Sequence, residues 1–215
     1  MKFNGIIIGL SLLTSISLHA QDWSADTYTY GEQYEGYVID MNGDRSDGFI
    51  KYRNRAIMQE EVIFYREKDN TSTKKKYLAS DLAEYKVGDK LYHCIPYSGN
   101  AGGQSVQANL VISDAGCIKT YKWYNRASGY KSMKKRPGES SEDFGKRKFP
   151  SEKVYFKSTD GMGVTQSFFD DNFNKKMAEY ISDNKVLSKK VKSKSNGYDA
   201  RGFMKIVNEF NEGCN

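Results

Sequence analysis

The sequence predicts an α+β fold, an antiparallel β sandwich or partly closed barrel of about eight strands with a C-terminal helical cap. Three observations lead there. Short aromatic and β-branched runs alternate with turn residues from 34 to 168. After Ser167 the apolar period changes from two to 3.6. With 38% hydrophobic residues, 16 Tyr and 11 Phe in 215 residues, the chain also has the bulk for one core. That bulk excludes wholesale disorder, and the composition excludes collagen-like, coiled-coil and multi-span membrane classes.

The elements follow in order. Met1-Lys2, the apolar run from Ile6 to Leu18 and the ending Leu18-His19-Ala20 have the layout of a secretory signal, so residues 1–20 are expected to be cleaved after Ala20. The run is shorter than the roughly 20 apolar residues of a membrane span, and no transmembrane segment is expected after cleavage. The mature chain is then exported, periplasmic or secreted. Residues 21–33 are expected to form a flexible segment.

A β domain is expected over 34–168. Tyr34–Met41 and Gly48–Arg53 flank Asn42-Gly43-Asp44, where Asn-Gly suits a type I′ hairpin turn. Glu61–Arg66 reads as a third strand, and Tyr77–Ala79 leads into a turn at Ser80-Asp81-Leu82. Glu84–Val87 and Lys90–Pro96 flank Gly88-Asp89, a second hairpin. Ser98–Ser105, with Gly99, Gly102 and Gly103, reads as a mobile loop. Gln107–Ile112, Cys117–Asn125, Val154–Phe156 and Val164–Phe168 supply the remaining strands. Within this domain, 126–150 is expected to be an exposed, basic, poorly ordered insertion, because four bases between Lys131 and Arg136 are followed by Pro137, Gly138, Ser140 and Ser141.

The helical cap is expected over 169–215. Phe169, Phe173, Met177, Tyr180 and Ile181 make one apolar stripe, with Asp170 and Asp171 in the first turn, where carboxylates suit the helix dipole. Asp183-Asn184 can cap a second helix carrying Val186, Leu187 and Val191, and Asn196-Gly197 breaks it. Phe203, Ile206, Val207 and Phe210 mark a third. None is long enough to be stable alone, so the stripes must pack on the sheet.

Three stretches carry a family resemblance. They are Glu35-Gly36-Tyr37-Val38-Ile39 with Gly48-Phe49-Ile50-Lys51-Tyr52, then Ser80-Asp81-Leu82 with Gly88-Asp89-Lys90-Leu91-Tyr92, and Ile206-Val207-Asn208-Glu209-Phe210-Asn211 in the tail. Together they resemble exported proteins common in Bacteroidota-type bacteria, a family with no established activity. The resemblance implies compartment and fold. It carries over no catalytic or binding residue.

Chemistry is sought next in charge. The chain has 33 Lys+Arg against 27 Asp+Glu, a net +6. Residues 21–70 hold 11 acids and 6 bases, whereas 119–158 hold 12 bases and 4 acids. Within the basic stretch Lys119, Lys122, Trp123, Arg126, Lys131, Lys134, Lys135 and Arg136 interleave cations and rings, as in binders of single-stranded nucleic acid. An exported chain is not expected to meet nucleic acid. The partner expected instead is an envelope polyanion, or a protein partner, drawn by the same screened electrostatics. A merely solvated loop is the competing explanation. Oligomeric state is left open.

Other constellations are weaker. Asp40, Asn42, Asp44 and Asp47 copy the first ligand positions of a calcium loop, but Arg45 stands where the sharp turn wants Gly and Lys51 where a bidentate acid belongs. A hairpin turn explains the same residues without a metal. His93 is the only histidine after cleavage, and as the neighbour of Cys94 on a strand it points to the opposite face. A His93–Cys117 pair across strands lacks a flanking motif. Gly99–Gly103 lacks the Lys-Ser/Thr of a phosphate loop. The carboxylate pairs Glu60-Glu61, Glu142-Asp143 and Asp170-Asp171 come with no distance across a cleft. In an oxidising compartment the three cysteines permit one bridge, with Cys94–Cys117 preferred, Cys214 the spare, and three unpaired thiols the competing reading. No cofactor is expected. The function expected is therefore non-catalytic binding in the envelope or outside the cell. Alternatives are an enzyme on envelope glycans using an unidentified carboxylate pair, or a small-ligand carrier.

Overall fold

The computed structural model describes residues 28–97 and 105–214. The signal segment 1–20, residues 21–27 of the N-terminal segment and 98–104 of the glycine-rich loop lie outside the described residues.

Ten strands join in one antiparallel sheet. They are β1 (Gln33–Asp40), β2 (Arg45–Lys51), β3 (Glu61–Tyr65), β4 (Lys74–Leu78), β5 (Leu82–Val87), β6 (Lys90–Pro96), β7 (Val106–Ser113), β8 (Ile118–Tyr124), β9 (Ser151–Lys157) and β10 (Val164–Thr165). Their order is β10-β9-β8-β7-β6-β5-β1-β2-β3-β4. The chain thus meanders to one edge at β4, crosses back over a 3-10 turn at Ala79–Asp81, and meanders from β5 to the other edge at β10. This is neither the sandwich nor the eight-stranded barrel that the spacing suggests. Strand periodicity reports burial of a face, not closure, and β10 is only two residues long.

Two turns place the register. At β1–β2 the Gly43 N–H donates to the Asp40 carbonyl at 3.0 Å, and Gly43 alone takes the left-handed conformation, φ 89°. The turn is therefore a four-residue type I-like turn from Asp40 to Gly43, not the expected two-residue type I′ turn, which would need positive φ at Asn42 as well. At β5–β6 the two-residue loop Gly88-Asp89 is as expected, with Val87 opposite Lys90.

The first core lies on one face of the curled half-sheet. Val38, Ile50, Val62, Phe64, Leu82, Tyr85, Val87, Tyr92, Leu110 and Tyr124 meet there, and the Tyr85 and Tyr92 rings stack at 4.5 Å. A short helix α1 (Arg55–Met58), capped by the Asn54 side chain, closes the space below. Buried Gln59 then bridges the curl. Its amide donates to the Tyr124 carbonyl (2.9 Å) and accepts from the Tyr124 N–H (2.6 Å), while its own carbonyl accepts from the Ala108 N–H. Residues 28–33, expected to be loose, are held here. Tyr28 is buried against Tyr34 and hydrogen-bonded to Asp89, and Gly31 and Glu32 pair with Tyr52 through the backbone.

The second core joins the far end of the sheet to helices α3 (Phe173–Tyr180), α4 (Lys185–Lys192) and α5 (Phe203–Glu212). Ile118 and Tyr155 meet Phe169, Phe173, Met177, Ile181, Leu187, Val191, Phe203, Ile206, Val207 and Phe210. The helical stripes are those the sequence marks except at Val186, which stands outside the core, and α3 starts at Phe173, with Phe169 in a 3-10 turn before it. Asp170 and Asp171 precede it, because Asn172 takes a left-handed conformation, φ 70°, at the helix boundary. Lys157, 3% exposed, donates from β9 to the Tyr180 carbonyl at 2.5 Å and lies 3.1 Å from Asp183. Asn211 of α5 accepts from the Ile118 N–H at 2.8 Å and donates to the Ile118 carbonyl at 2.9 Å.

Beside that contact Cys117 and Cys214 form a disulfide, and Cys94 is the free thiol. The expected Cys94–Cys117 bridge is thus wrong. Cys94 pairs with Ala108 of β7 and leans into the first core, while α5 carries Cys214 to the start of β8. No helix among the described residues is long and apolar enough to cross a membrane.

Candidate functional site

The basic stretch starts on β8, and strand alternation splits it. Ile118, Thr120, Lys122 and Tyr124 share one face, Lys119, Tyr121 and Trp123 the other. Trp123 is held on its face by Tyr97, ring to ring at 5.2 Å, and by its indole N–H on Asn125. Arg126 leaves the strand and pairs with Glu60 at 2.6 Å. The eight candidate residues therefore do not form one patch. Lys119 and Trp123 face one way and Lys122 the other, Arg126 is neutralised, and Lys131, Lys134, Lys135 and Arg136 stand together on the insertion.

The insertion is ordered, contrary to expectation. Asn125 and Ala127 donate to the Pro150 and Lys148 carbonyls, which extends the β8–β9 ladder into a stem. A helix, α2 (Ser141–Lys148), follows from a cap that the composition hides. The Ser140 hydroxyl accepts from the Asp143 N–H at 3.0 Å, Glu142 and Asp143 occupy the first turn, and Lys146, Arg147 and Lys148 the last. Buried Phe149 anchors the stem against Tyr130 and the first core.

One ion pair fixes the loop between them. Arg147 donates from Nε and Nη2 to the two oxygens of Glu139, both at 2.8 Å, and Nη2 also reaches the Lys134 carbonyl at 3.0 Å. Glu139 accepts the Arg136 N–H as well. The Arg147 guanidinium, then that N–H, hold the Glu139 carboxyl down at about 2, so it stays ionised in all but strongly acidic solution. With one carboxylate tied to Arg147 and backbone, the cations on the same loop are left outward. Lys131, Lys134, Lys135 and Arg136 are exposed, and among the described residues no carboxylate lies within ion-pair distance of them. Lys135 donates to the Ser141 hydroxyl at 3.1 Å.

The other candidates fall elsewhere. Asp40 Oδ1 accepts from the Asn42 and Asp44 N–H groups, and Asp47 pairs with Arg45, so these oxygens serve the turn. Cys117 is in its disulfide and away from any His93 pairing. His93 instead has its Nε2 3.4 Å from Glu84 and its Nδ1 3.1 Å from the Tyr121 hydroxyl, and Tyr37 donates to Glu84 at 2.5 Å. Sequence reasoning missed Glu84, yet the signal was there: a Gly88-Asp89 turn that pairs 87 with 90 also pairs 84 with 93. The Arg147–Glu139 clamp gave no such signal.

Comparison of the chain with protein-family models, curated proteins and solved structures returned no match.

Proposed function

We propose that the chain is an exported, non-catalytic binding protein of the kind its sequence resembles, and that it holds a polyanionic envelope component through the 126–150 insertion. The observation that carries this reading is the outward set Lys131, Lys134, Lys135 and Arg136 on a loop ordered by the Arg147–Glu139 pair. Long side chains lose less entropy on binding when their backbone is already fixed. The Cys117–Cys214 disulfide supports an oxidising compartment, where phosphate- and carboxylate-bearing glycans and lipids are the polyanions at hand. Lys119, Lys122, Trp123 and Arg126 are not part of the proposed contact, since the fold turns them to other faces or pairs them.

The test is a Lys134→Ala, Lys135→Ala, Arg136→Ala triple variant, assayed by sedimentation with envelope material. At about fivefold per cation, its binding at low salt is expected to fall by about two orders of magnitude. The parent should release in high salt as the Debye length shrinks. Equal binding by variant and parent at low salt overturns the reading.

A further inference from the structure

The near-neutral charge of 159–215 hides a second cationic surface. Residues 185–205 hold seven bases against the single acid Asp199, and the compensating acids lie on either side, at Asp160, Asp170, Asp171, Glu179 and Asp183 before it and Glu209 and Glu212 after it. Lys190 is satisfied by Glu209 at 2.7 Å and by the Tyr198 hydroxyl. Lys189 and Lys192 sit in the last turn of α4, where cations complement the dipole. Lys185 does not fit that explanation. It is the first residue of α4, at the positive end of the dipole, with no acid in the first turn.

Helical spacing gathers these residues into one stripe. Lys185, Lys189 and Lys192 stand at i, i+4 and i+7, beside Val186 and Ser193, and all five are exposed. The seam toward the second core is carried by Leu187 and Val191, 1% and 0% exposed, whereas Val186 is 69% exposed, the most of any large apolar side chain among the described residues. Val186 also rims two open grooves. One, of about 490 Å³, is lined by Lys185, Lys189, Lys190, Ser193 and Ser195, and the other, of about 360 Å³, includes Phe210 and Cys214.

We infer that α4 lies on an anionic lipid surface, with Val186 below the headgroups and Lys185, Lys189 and Lys192 on the phosphates. A lone exposed valine needs no explanation, but one projecting on the flank of a lysine stripe has the layout of an interfacial helix. Val186 selects the occupant. A soluble polyanion offers lysines their counter-charge but no hydrocarbon for an isopropyl group. With only eight residues, the contact is weak and reversible. It is independent of the 126–150 insertion.

The test uses co-sedimentation of the full chain with phosphatidylcholine vesicles, with and without phosphatidylglycerol, and a parallel heparin-binding assay. Binding is expected only to the anionic vesicles. Lys185→Gln, Lys189→Gln, Lys192→Gln together should lower the partition coefficient by about two orders of magnitude, at about fivefold per lysine. Val186→Ser should lower it severalfold and leave heparin binding unchanged. The Lys134, Lys135, Arg136 variant should keep its affinity for the vesicles, which separates this surface from the insertion. All are surface substitutions, and unchanged circular dichroism certifies the fold. Equal binding to neutral and anionic vesicles, or no loss on Val186→Ser, overturns the inference, and the second result assigns the stripe to soluble polyanions.

Discussion

At the level of single residues, His93 is a group whose charge the fold controls directly. It lies between Glu84 and Tyr121, and burial depresses its pKa, an effect Glu84 opposes and Lys119 reinforces. A histidine whose folded pKa is lowered takes up fewer protons folded than unfolded once pH falls below about 6.5. Stability should therefore be full above that value and decline on acidification. His93→Gln keeps hydrogen-bonding capacity and removes the titration, so urea midpoints measured from pH 7.5 to 5 are expected to flatten. An unchanged pH slope would show that other groups set it. His93 was legible as a polar strand residue facing away from Cys94, and its partner could have been found from the hairpin register. Tyr121 could not, since it comes from β8, beyond the intervening β7.

Among the elements, the helical cap depends on three ties to the sheet: Lys157 beneath Tyr180, Asn211 around Ile118, and the Cys117–Cys214 bond. The disulfide closes a sequence separation of 97 residues, a span for which chain entropy gives about 4.7 kcal/mol. Cys117→Ser with Cys214→Ser is expected to lower unfolding free energy by about that amount in guanidinium melts. The remaining Cys94 thiol, which burial pushes up to about 12, should react with a thiol reagent only after unfolding. A variant as stable as the parent would mean the noncovalent ties suffice. The helical stripes were readable, because amphipathic period is local, with Val186 the exception, an apolar residue that the period alone assigned to the core side. The pairing of Cys117 with Cys214 was not, because it follows from where α5 docks. The order within 126–150 escaped for a related reason, since it rests on Arg147 meeting Glu139 across a turn.

For the whole molecule, the strands were legible one by one, but the single ten-stranded sheet was not. Nothing in the alternation of Val38, Ile50 or Tyr85 says whether a sheet returns on itself or ends. Here it ends, and at β4 the edge is guarded by Lys74, Lys75 and Lys76, all exposed. An unpaired edge is a template for another chain, and lysines blunt it. Lys74→Thr with Lys75→Thr, which spares the Lys76–Glu61 pair, should raise self-association with little change in stability, as read by light scattering. A monodisperse variant would place the protection elsewhere.

The bond between Cys117 and Cys214 makes everything from the start of β8 onward a covalent loop, and the exposed insertion lies inside it. A protease that opens the backbone at those outward lysines therefore leaves both fragments attached. The molecule outlives such a nick as one body for as long as its surroundings remain oxidising.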